Sequence, residues 1–506
     1  SAWRGERANI VALIYSKRDE GTLRVQMSEW RRDGEPTGIR SSMARFVNYV
    51  ITADSKACGD HPTSLEGWLV PDVIDLDKPR HISAMQTRPV WCSIEVPRDI
   101  APGEYECELQ AIDEEGLVVA SIQLTIAVNR HTLPEVSQQR FHLNLWQQPY
   151  AISRYHGVER WSDDHIEALR PYLQALGRAG QSVISAILFY EPWGMQTHEP
   201  DRFEPMVQTI KSKEGTWRYD YTIFDRYVTL CAECGISRQI SCFSMVPWDM
   251  SFRYYDEATA DYKYLITKTS DAEYRELWNS FLASFKAHLT AKGWFEKTYI
   301  AMDERSEEDM HNAYNIAVSY GFKVALAGNY HASLIDKLND FSIAYGQLDY
   351  LRASELRHRR EAGYTTTFYT CCADVEPNIY SNSLPAEAAF IPIYAAALNL
   401  DGYLHWSWVN WDEAPLMDSR YRLFGAGDTY FYYPGNRSSV RFERLIEGIQ
   451  QYEKIFTLRE EFKENPENLA LLDAMLQDVA LSTGTGTECA TIVNDIEHFL
   501  NGGYVE

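Results

Sequence analysis

From Arg140 onward the chain repeats one pattern: a short run of β-branched and apolar residues, then a longer run with helical spacing. Runs at 141–146, 182–188, 238–243, 298–302, 323–327, 341–345, 365–369 and 402–408 read as strands. Helical patterns at 162–178, 223–234, 271–291, 306–320, 385–400 and 438–455 follow most of them. Ser162-Asp163-Asp164 offers N-cap chemistry for the first helix, since a short oxygen-bearing side chain takes up a backbone N–H left unpaired there. A strand that is apolar on both faces belongs inside an α/β fold. Alternation of strand and helix makes neighbouring strands parallel. Eight such units in about 315 residues is the count of a (β/α)8 barrel.

The chain before this pattern reads differently. Short β-rich runs at 8–15, 23–27, 44–50, 90–96, 103–112 and 118–128 are separated by turn signals at Asp33-Gly34, Cys58-Gly59, Ala101-Pro102-Gly103 and Glu115-Gly116. Such spacing predicts an all-β sandwich. No chemistry is evident in it, so a supporting role is expected, with glycan binding through Trp68 or Trp91 as the alternative. Residues after 457 read as helical at 469–479 and 490–500. The expected organisation is a sandwich over 1–134, a catalytic (β/α)8 barrel over 135–457, and a helical segment over 458–506 packed on the barrel.

Charge removes some function classes. Forty-eight Lys and Arg stand against 72 Asp and Glu, a formal charge of −24. Nucleic acid is not an expected partner, because phosphate binding needs clustered cations. The longest uncharged apolar run, 388–400, is too short to span a bilayer and contains Pro392. The chain opens on Ser1 rather than Met, so an N-terminal address is expected to have been trimmed away. Nine cysteines show no framework spacing. Cys231 and Cys234 fall within a helical pattern, and Cys371-Cys372 ends a strand; both pairs are read as packing residues, which leaves the redox compartment open.

The chemistry gathers at the strand ends. Thr298-Tyr299-Ile300-Ala301-Met302 runs into Asp303-Glu304-Arg305. Charges at the carboxyl end of a barrel strand sit where barrel enzymes place their active sites. The structural alternative is that these acids simply favour the positive end of the next helix. Long insertions after strands two, three, seven and eight form the same rim, and they are rich in aromatic and amide residues. Examples are Glu191-Pro192-Trp193-Gly194-Met195-Gln196, Met245-Val246-Pro247-Trp248, and His405-Trp406-Ser407-Trp408-Val409-Asn410-Trp411-Asp412. Gly425-Ala426-Gly427-Asp428 leads on to Tyr430-Phe431-Tyr432-Tyr433. Any single Trp is readily a packing residue. As a set they suit a sugar, whose C–H faces stack on aromatic rings while amides and carboxylates bind its hydroxyls.

Other chemistries lack their motifs. There is no H-E-x-x-H and no G-x-S-x-G, and the glycines at 425 and 427 do not form a phosphate-binding G-x-G-x-x-G. Glu307 and His311 have helical spacing for a metal pair, but exposed helix residues are the simpler reading. Neither a metal nor a cofactor is expected.

The adjacency of the two acids narrows the mechanism. Most retaining glycosidases hold two carboxyl groups about 5–5.5 Å apart across the sugar, and inverting ones hold them wider. Neighbours on one strand do not readily flank a ring; they sit side by side beneath it. That suits substrate-assisted hydrolysis, in which the 2-acetamido oxygen of the sugar attacks the anomeric carbon. One acid would hold the acetamido N–H and the other would protonate the leaving oxygen. Two close carboxyls also separate each other's pKa values, as one acid and one anion require.

Several stretches together resemble glycoside hydrolase family 123, the β-N-acetylgalactosaminidases. They are Trp3-Arg4-Gly5-Glu6-Arg7, Leu145-Trp146-Gln147-Gln148-Pro149-Tyr150, Pro192-Trp193-Gly194-Met195-Gln196, Tyr219-Asp220-Tyr221 with Phe224-Asp225, Ser244-Met245-Val246-Pro247-Trp248, Ile300-Ala301-Met302-Asp303-Glu304-Arg305, and Gly427-Asp428 to Tyr433-Pro434-Gly435. The resemblance runs nearly end to end. It implies a β-sandwich, a (β/α)8 barrel, retention of configuration and acetamido participation. Spacing supplies the acid pair, and the resemblance supplies its order: Asp303 orients the acetamido group and Glu304 is the general acid/base. Sugar-contact roles follow for Trp193, Gln196, Trp248, Tyr369, Trp406, Trp408 and Asp428. The expected partner is a glycan with a terminal β-linked N-acetylgalactosamine, glycosphingolipid oligosaccharides among the candidates. The expected location is periplasmic or secreted in a bacterium, with a cytoplasmic one still open. Two alternatives stand beside this reading: a non-catalytic glycan-binding protein and a β-N-acetylglucosaminidase. The residues do not decide between the two sugars, the linkage, the aglycone or the oligomeric state.

Overall fold

A computed structural model describes residues 1–54, 67–194, 196, 199–420 and 424–504. The turn expected at Cys58-Gly59 and the motif residue Met195 lie outside the described residues. The chain divides into two compact units. One comprises 1–141, 375–399 and 413–506; the other comprises 142–374 and 400–412. The division does not follow single cuts at 134 and 457, because residues 375–399 and 413–457, inside the expected barrel range, belong to the first unit.

In the first unit, strands Arg7–Tyr15, Thr87–Glu95, Ser42–Thr52 and Trp68–Ile74 form one antiparallel sheet, with the second strand pairing both the first and the third. The other sheet runs Ala2–Arg4, Val118–Thr132, Gly103–Ile112, Gly21–Met27 and Arg80–Ile82. Alternate residues from the two sheets, among them Phe46, Val90, Cys92, Ile94, Leu109, Leu124 and Ile126, share one apolar core. This is the expected sandwich: strands with period-two alternation bury one face and leave the other to solvent.

Helices of the same unit run Pro385–Ala397, Val440–Glu461, Pro466–Ala480 and Gly486–Leu500. The first two touch at Gly448, where a Cβ would stand 2.3 Å from the Ala389 carbonyl, so only glycine allows the approach. Buried polar bonds tie these helices to the N-terminal strands. The Trp3 indole N–H donates to the Leu500 carbonyl (3.0 Å), and Lys454 pairs with Glu6 (2.8 Å). Arg441, almost fully buried, donates to Asp72, Ile379, Gly427 and Tyr430.

The second unit carries the barrel. Its strands are β1 (His142–Leu145), β2 (Val183–Ile187), β3 (Gln239–Phe243), β4 (Thr298–Met302), β5 (Lys323–Gly328), β6 (Asp340–Ala344), β7 (Thr365–Tyr369) and β8 (Gly402–His405). All neighbours are parallel, in the order β1-β8-β7-β6-β5-β4-β3-β2. The ring closes between β1 and β2 by a different means. The Ser182 N–H bonds the Leu143 carbonyl (2.9 Å). Beyond it, two buried side-chain amides stand in for ladder bonds: Gln181 reaches the Leu145 N–H and carbonyl, and Gln147 accepts from the Ser185 N–H (2.8 Å). Buried backbone groups need partners, and these two glutamines supply them where the strands diverge.

Between the strands lie helices α1 (Pro149–His156), α2 (Asp163–Arg178), α3 (Thr222–Glu233), α4 (Ala272–Lys292), α5 (Glu307–Ser319) and α6 (Ala353–Glu361). Ser162 caps α2 as its sequence predicts, accepting from the His165 N–H. The insertions after β2 and β3 hold structure that the sequence reading left as loop. Gln208–Lys211, Trp217–Asp220, Ser251–Asp256 and Asp261–Ile266 form one four-stranded sheet, joined where Ile210 runs parallel to Tyr255. Cys231 and Cys234 are buried free thiols, as packing residues should be. Cys372 corrects its sequence assignment, because it is disulfide-bonded.

Candidate active site

The carboxyl end of β4 delivers Asp303 and Glu304 to the rim of the barrel. Successive residues of an extended chain point in opposite directions, so the two carboxylates meet different neighbours. Asp303 turns toward the loop after β3. Its Oδ2 accepts the indole N–H of Trp248 (3.1 Å), and its Oδ1 accepts the backbone N–H of Glu304 (2.8 Å). Glu304 turns toward β7, where the Tyr369 hydroxyl donates to its Oε1. Neither carboxylate is ion-paired with any described residue.

The electrostatics of the pair are uneven. Burial pushes the Asp303 carboxyl up to about 6, and the neighbouring Glu304 charge adds to the rise. The Glu304 N–H, the Trp248 indole and the Arg305 guanidinium pull the other way. Burial, then the Glu304 carboxylate, also drives the Tyr369 hydroxyl well above its ordinary range, so it stays protonated and acts as a donor. Asp374, which follows β7, is raised by burial and by Glu304, against the pull of the Cys371 N–H that it accepts at 2.9 Å. Nothing in the sequence marked Asp374; its place beside Glu304 is a product of the fold.

Arg305 explains how Trp248 is held. Its guanidinium lies over the indole, 5.3 Å from the ring centre, and donates to the Trp248 carbonyl (3.2 Å). On the other side, the Trp248 N–H bonds the Pro192 carbonyl (2.9 Å), which links the loops after β2 and β3. Gly194 permits this link, since its φ of +59° lies in the left-handed region and its missing side chain faces the Trp248 Cβ. Gly328, ending β5, lies beside Glu304, where a Cβ would stand 3.6 Å from the Glu304 Cα, an ordinary van der Waals contact.

The expected sugar-contact residues separate into groups. Trp248, 36% exposed, and Tyr369 both touch the acid pair directly. Trp406 is half-buried and packs on the aromatic cluster inside the barrel mouth, where Gln148 bonds its carbonyl (3.1 Å). Gln196 is half-buried, and its carbonyl accepts from Asn410 (3.4 Å). Trp193 lies within that cluster, stacked on Trp146 at 5.1 Å and set against Phe203 and Phe243. Little of its surface is left for a ligand. Trp408 is 1% exposed and is held by Gln148 through its backbone N–H (3.1 Å). Asp428 belongs to the first unit and is buried there. Glu307 and His311 both bond Ser333 on the outer surface of α5. No cluster of three metal-ligating side chains occurs among the described residues.

Beneath the rim, a small cavity is lined by Asn144, Trp146, Ser241, Ala301, Asp340 and Ser342, among others. The Asn144 side-chain amide oxygen and the Ser342 hydroxyl have no hydrogen-bond partner among the described residues. The floor of the site is therefore polar below an aromatic layer.

Comparison with known proteins gives this geometry a family. The glycoside hydrolase 123 catalytic domain matches residues 146–458, and the glycoside hydrolase 123 N-terminal domain matches residues 1–112. Among solved structures, a family 123 glycoside hydrolase from Clostridium perfringens, described for glycolipid glycan hydrolysis, superimposes with a TM-score of 0.87. It is 25% identical, over 99% of this chain and 92% of that one. A β-glucuronidase from Parabacteroides merdae, 8% identical over 87% of this chain and 52% of its own, reaches a TM-score of only 0.34 and carries no argument. A search of the curated proteins finds no match. With both domains matched, and the catalytic one over more than half the chain, this protein belongs to glycoside hydrolase family 123.

Proposed function

We propose that this glycoside hydrolase removes terminal β-linked N-acetylgalactosamine from glycans, retaining configuration through an oxazoline intermediate. The carrying observation is the split environment of two adjacent carboxyls, one held by an indole N–H and the other by a phenol. The glycolipid glycan hydrolysis described for the Clostridium perfringens relative makes glycosphingolipid oligosaccharides a fitting substrate class.

In this reading the acetamido oxygen of the substrate attacks C1 as the bond from C1 to the aglycone oxygen breaks. Glu304 gives its proton to that oxygen. Asp303 accepts the acetamido N–H, which aligns the carbonyl for attack and stabilises the positive charge that spreads over the five-membered ring. Water then enters. The Glu304 carboxylate takes its proton, the water oxygen bonds to C1, and the oxazolinium opens back to the acetamide. Two inversions at C1 give net retention. Tyr369 supports Glu304 through both halves, because its hydroxyl remains a donor throughout.

A chromogenic β-N-acetylgalactosaminide tests the reading, with the glucosamine epimer as the comparison. Glu304→Gln should reduce turnover by about 10³-fold or more on a poor leaving group, the scale expected when an acid/base residue is lost. Azide should rescue Glu304→Ala on an activated aglycone, and a thiazoline mimic of the intermediate should inhibit tightly. Equal rates for wild type and Glu304→Gln would remove Glu304 from the mechanism. Indifference to the thiazoline would remove acetamido participation. We further propose export to an oxidising compartment, which the disulfide at Cys372 supports.

A further inference from the structure

The first unit contains an open cavity of about 510 Å³ that the chemistry above does not use. It is lined by Asn48, Tyr49, Arg80, Gln86, Arg88 and two leucines. Its residues break the sandwich's own pattern. On the strand Thr87–Glu95, the residues Val90, Cys92 and Ile94 point into the core, and Arg88 stands on the same face two residues earlier. On the strand Arg80–Ile82, Ile82 points into the core and Arg80 shares its face. Both strands thus place a guanidinium where alternation calls for an apolar side chain, at the open end between the sheets.

The two cations are not equivalent. Arg80 donates to Asp75 (2.6 Å), which also accepts from Asn48 and Arg437 (both 2.8 Å). Burial would raise the Asp75 carboxyl, but the bonds from Arg437 and Asn48 outweigh it and hold it at about 2, so it remains an anchor. Arg88 has no such anchor. Its guanidinium makes no hydrogen bond and no ion pair with any described residue, and it is partly withdrawn from water with Arg80 as a like-charged neighbour. Its guanidinium lies over the face of Tyr49, 5.1 Å from the ring centre. The Tyr49 hydroxyl is itself fixed on the Thr87 carbonyl (2.9 Å). Withdrawing a guanidinium from water without a carboxylate costs stability. That cost, in a chain with a formal charge of −24, is explained if an outside anion completes the site.

We propose that this cavity binds the acidic group of an anionic saccharide, with Arg88 and Arg80 taking a carboxylate or a sulfate. Arginine presents a planar fork that matches either oxyanion; of the two that line the cavity, Arg80 is paired with Asp75 and Arg88 with no described carboxylate. Tyr49, Leu69 and Leu416 supply the apolar wall that a sugar ring covers, and the Asn48 and Gln86 amides face its hydroxyls. The saccharide nature of the ligand rests on the glycosidase reading; the anion requirement rests on the arginines alone. A second site for acidic glycans would hold branched or acid-capped substrates near the enzyme without entering the chemistry.

The experiment uses the full chain and ligands that lack a terminal β-linked N-acetylgalactosamine, so binding is read apart from hydrolysis. Sialyllactose probes the carboxylate, N-acetylgalactosamine 6-sulfate the sulfate, lactose the neutral sugar and inorganic sulfate the bare anion. Calorimetry or ligand-observed NMR should show one or both acidic sugars binding at about millimolar Kd or tighter, at least tenfold better than lactose and inorganic sulfate. Arg88→Met, apolar and of similar length, should lose that binding by at least about tenfold. Its hydrolysis of a chromogenic β-N-acetylgalactosaminide should match wild type. Arg88→Lys, which keeps the charge and loses the fork, should fall between, and it serves if Arg88→Met fails to fold. Unchanged affinity in these variants, equal binding of lactose, inorganic sulfate binding as well as the acidic sugars, or no binding at about 10 mM ligand would each overturn the proposal. Wild type that binds the acidic sugars but does not hydrolyse the chromogenic substrate would instead count against the catalytic reading.

Discussion

Trp248→Phe isolates one bond in the acid pair. Phenylalanine keeps a flat ring under Arg305 and removes the N–H that donates to Asp303. That N–H favours the Asp303 anion, so its loss raises the carboxyl further. A hydrogen bond to a charged group is worth about 1.5–3 kcal/mol. Trp248 is 36% exposed, so water replaces part of it and about 1 kcal/mol is the appropriate figure. At 1.36 kcal/mol per pKa unit, this is a rise of about 0.7. In the proposed mechanism Asp303 must be ionised to accept the acetamido N–H, and its carboxyl is pushed up to about 6. Activity is therefore lost as pH falls through about 6 in the wild type and through roughly 7 in the variant. The assay is kcat/KM against pH on a chromogenic β-N-acetylgalactosaminide, which reports ionisations of the free enzyme. A weaker sugar contact in the variant would lower the whole profile without moving its acid limb. A wild-type limb below about pH 5, or a variant limb that stays in place or moves to lower pH, would refute the reasoning.

Other perturbations test the frame around the pair. Tyr369→Phe removes the donor to Glu304, and kcat/KM should fall by about tenfold, equivalent to about 1.4 kcal/mol, with the melting temperature nearly unchanged. Arg441→Met would leave Asp72 buried without its cation, keeping the Tyr433 hydroxyl as a donor, and release three carbonyls. Chemical denaturation should show a loss of about 3–5 kcal/mol. Gly402→Ala puts a Cβ 2.1 Å from the His142 carbonyl at the start of β8, forcing β1 and β8 apart. The loss of stability should be at least about 1–3 kcal/mol by the same measurement.

The barrel was legible because its strands are short apolar runs bounded by good helix signals. The sequence places β7 at 365–369, where the structure has it, and α2 starts at the cap Ser162. What remained hidden depends on contacts between distant segments. The four-stranded sheet exists because the insertion after β2 meets the insertion after β3 at Ile210 and Tyr255, and neither hairpin announces its partner locally. Closure by Gln147 and Gln181 is hidden for the same reason, since a glutamine beside a strand looks like any polar residue until its amide faces a gap in the ladder. The aromatic residues expected at the rim take unlike places in the structure. Trp248 and Trp193 come from equally suggestive motifs, yet one reaches Asp303 and the other fills the barrel mouth. The difference lies in what their loops must do. Pro192 uses its carbonyl to hold the Trp248 backbone, which sends the Trp248 ring outward to the acids. Trp193, the next residue after that anchor, is left to cover Trp146 and Phe243. A tryptophan that props the floor and one that grips the Asp303 carboxylate thus come from opposite sides of a single backbone hydrogen bond. Substitutions at the two positions should accordingly fail in different ways, through stability at Trp193 and through the acid limb of the pH profile at Trp248.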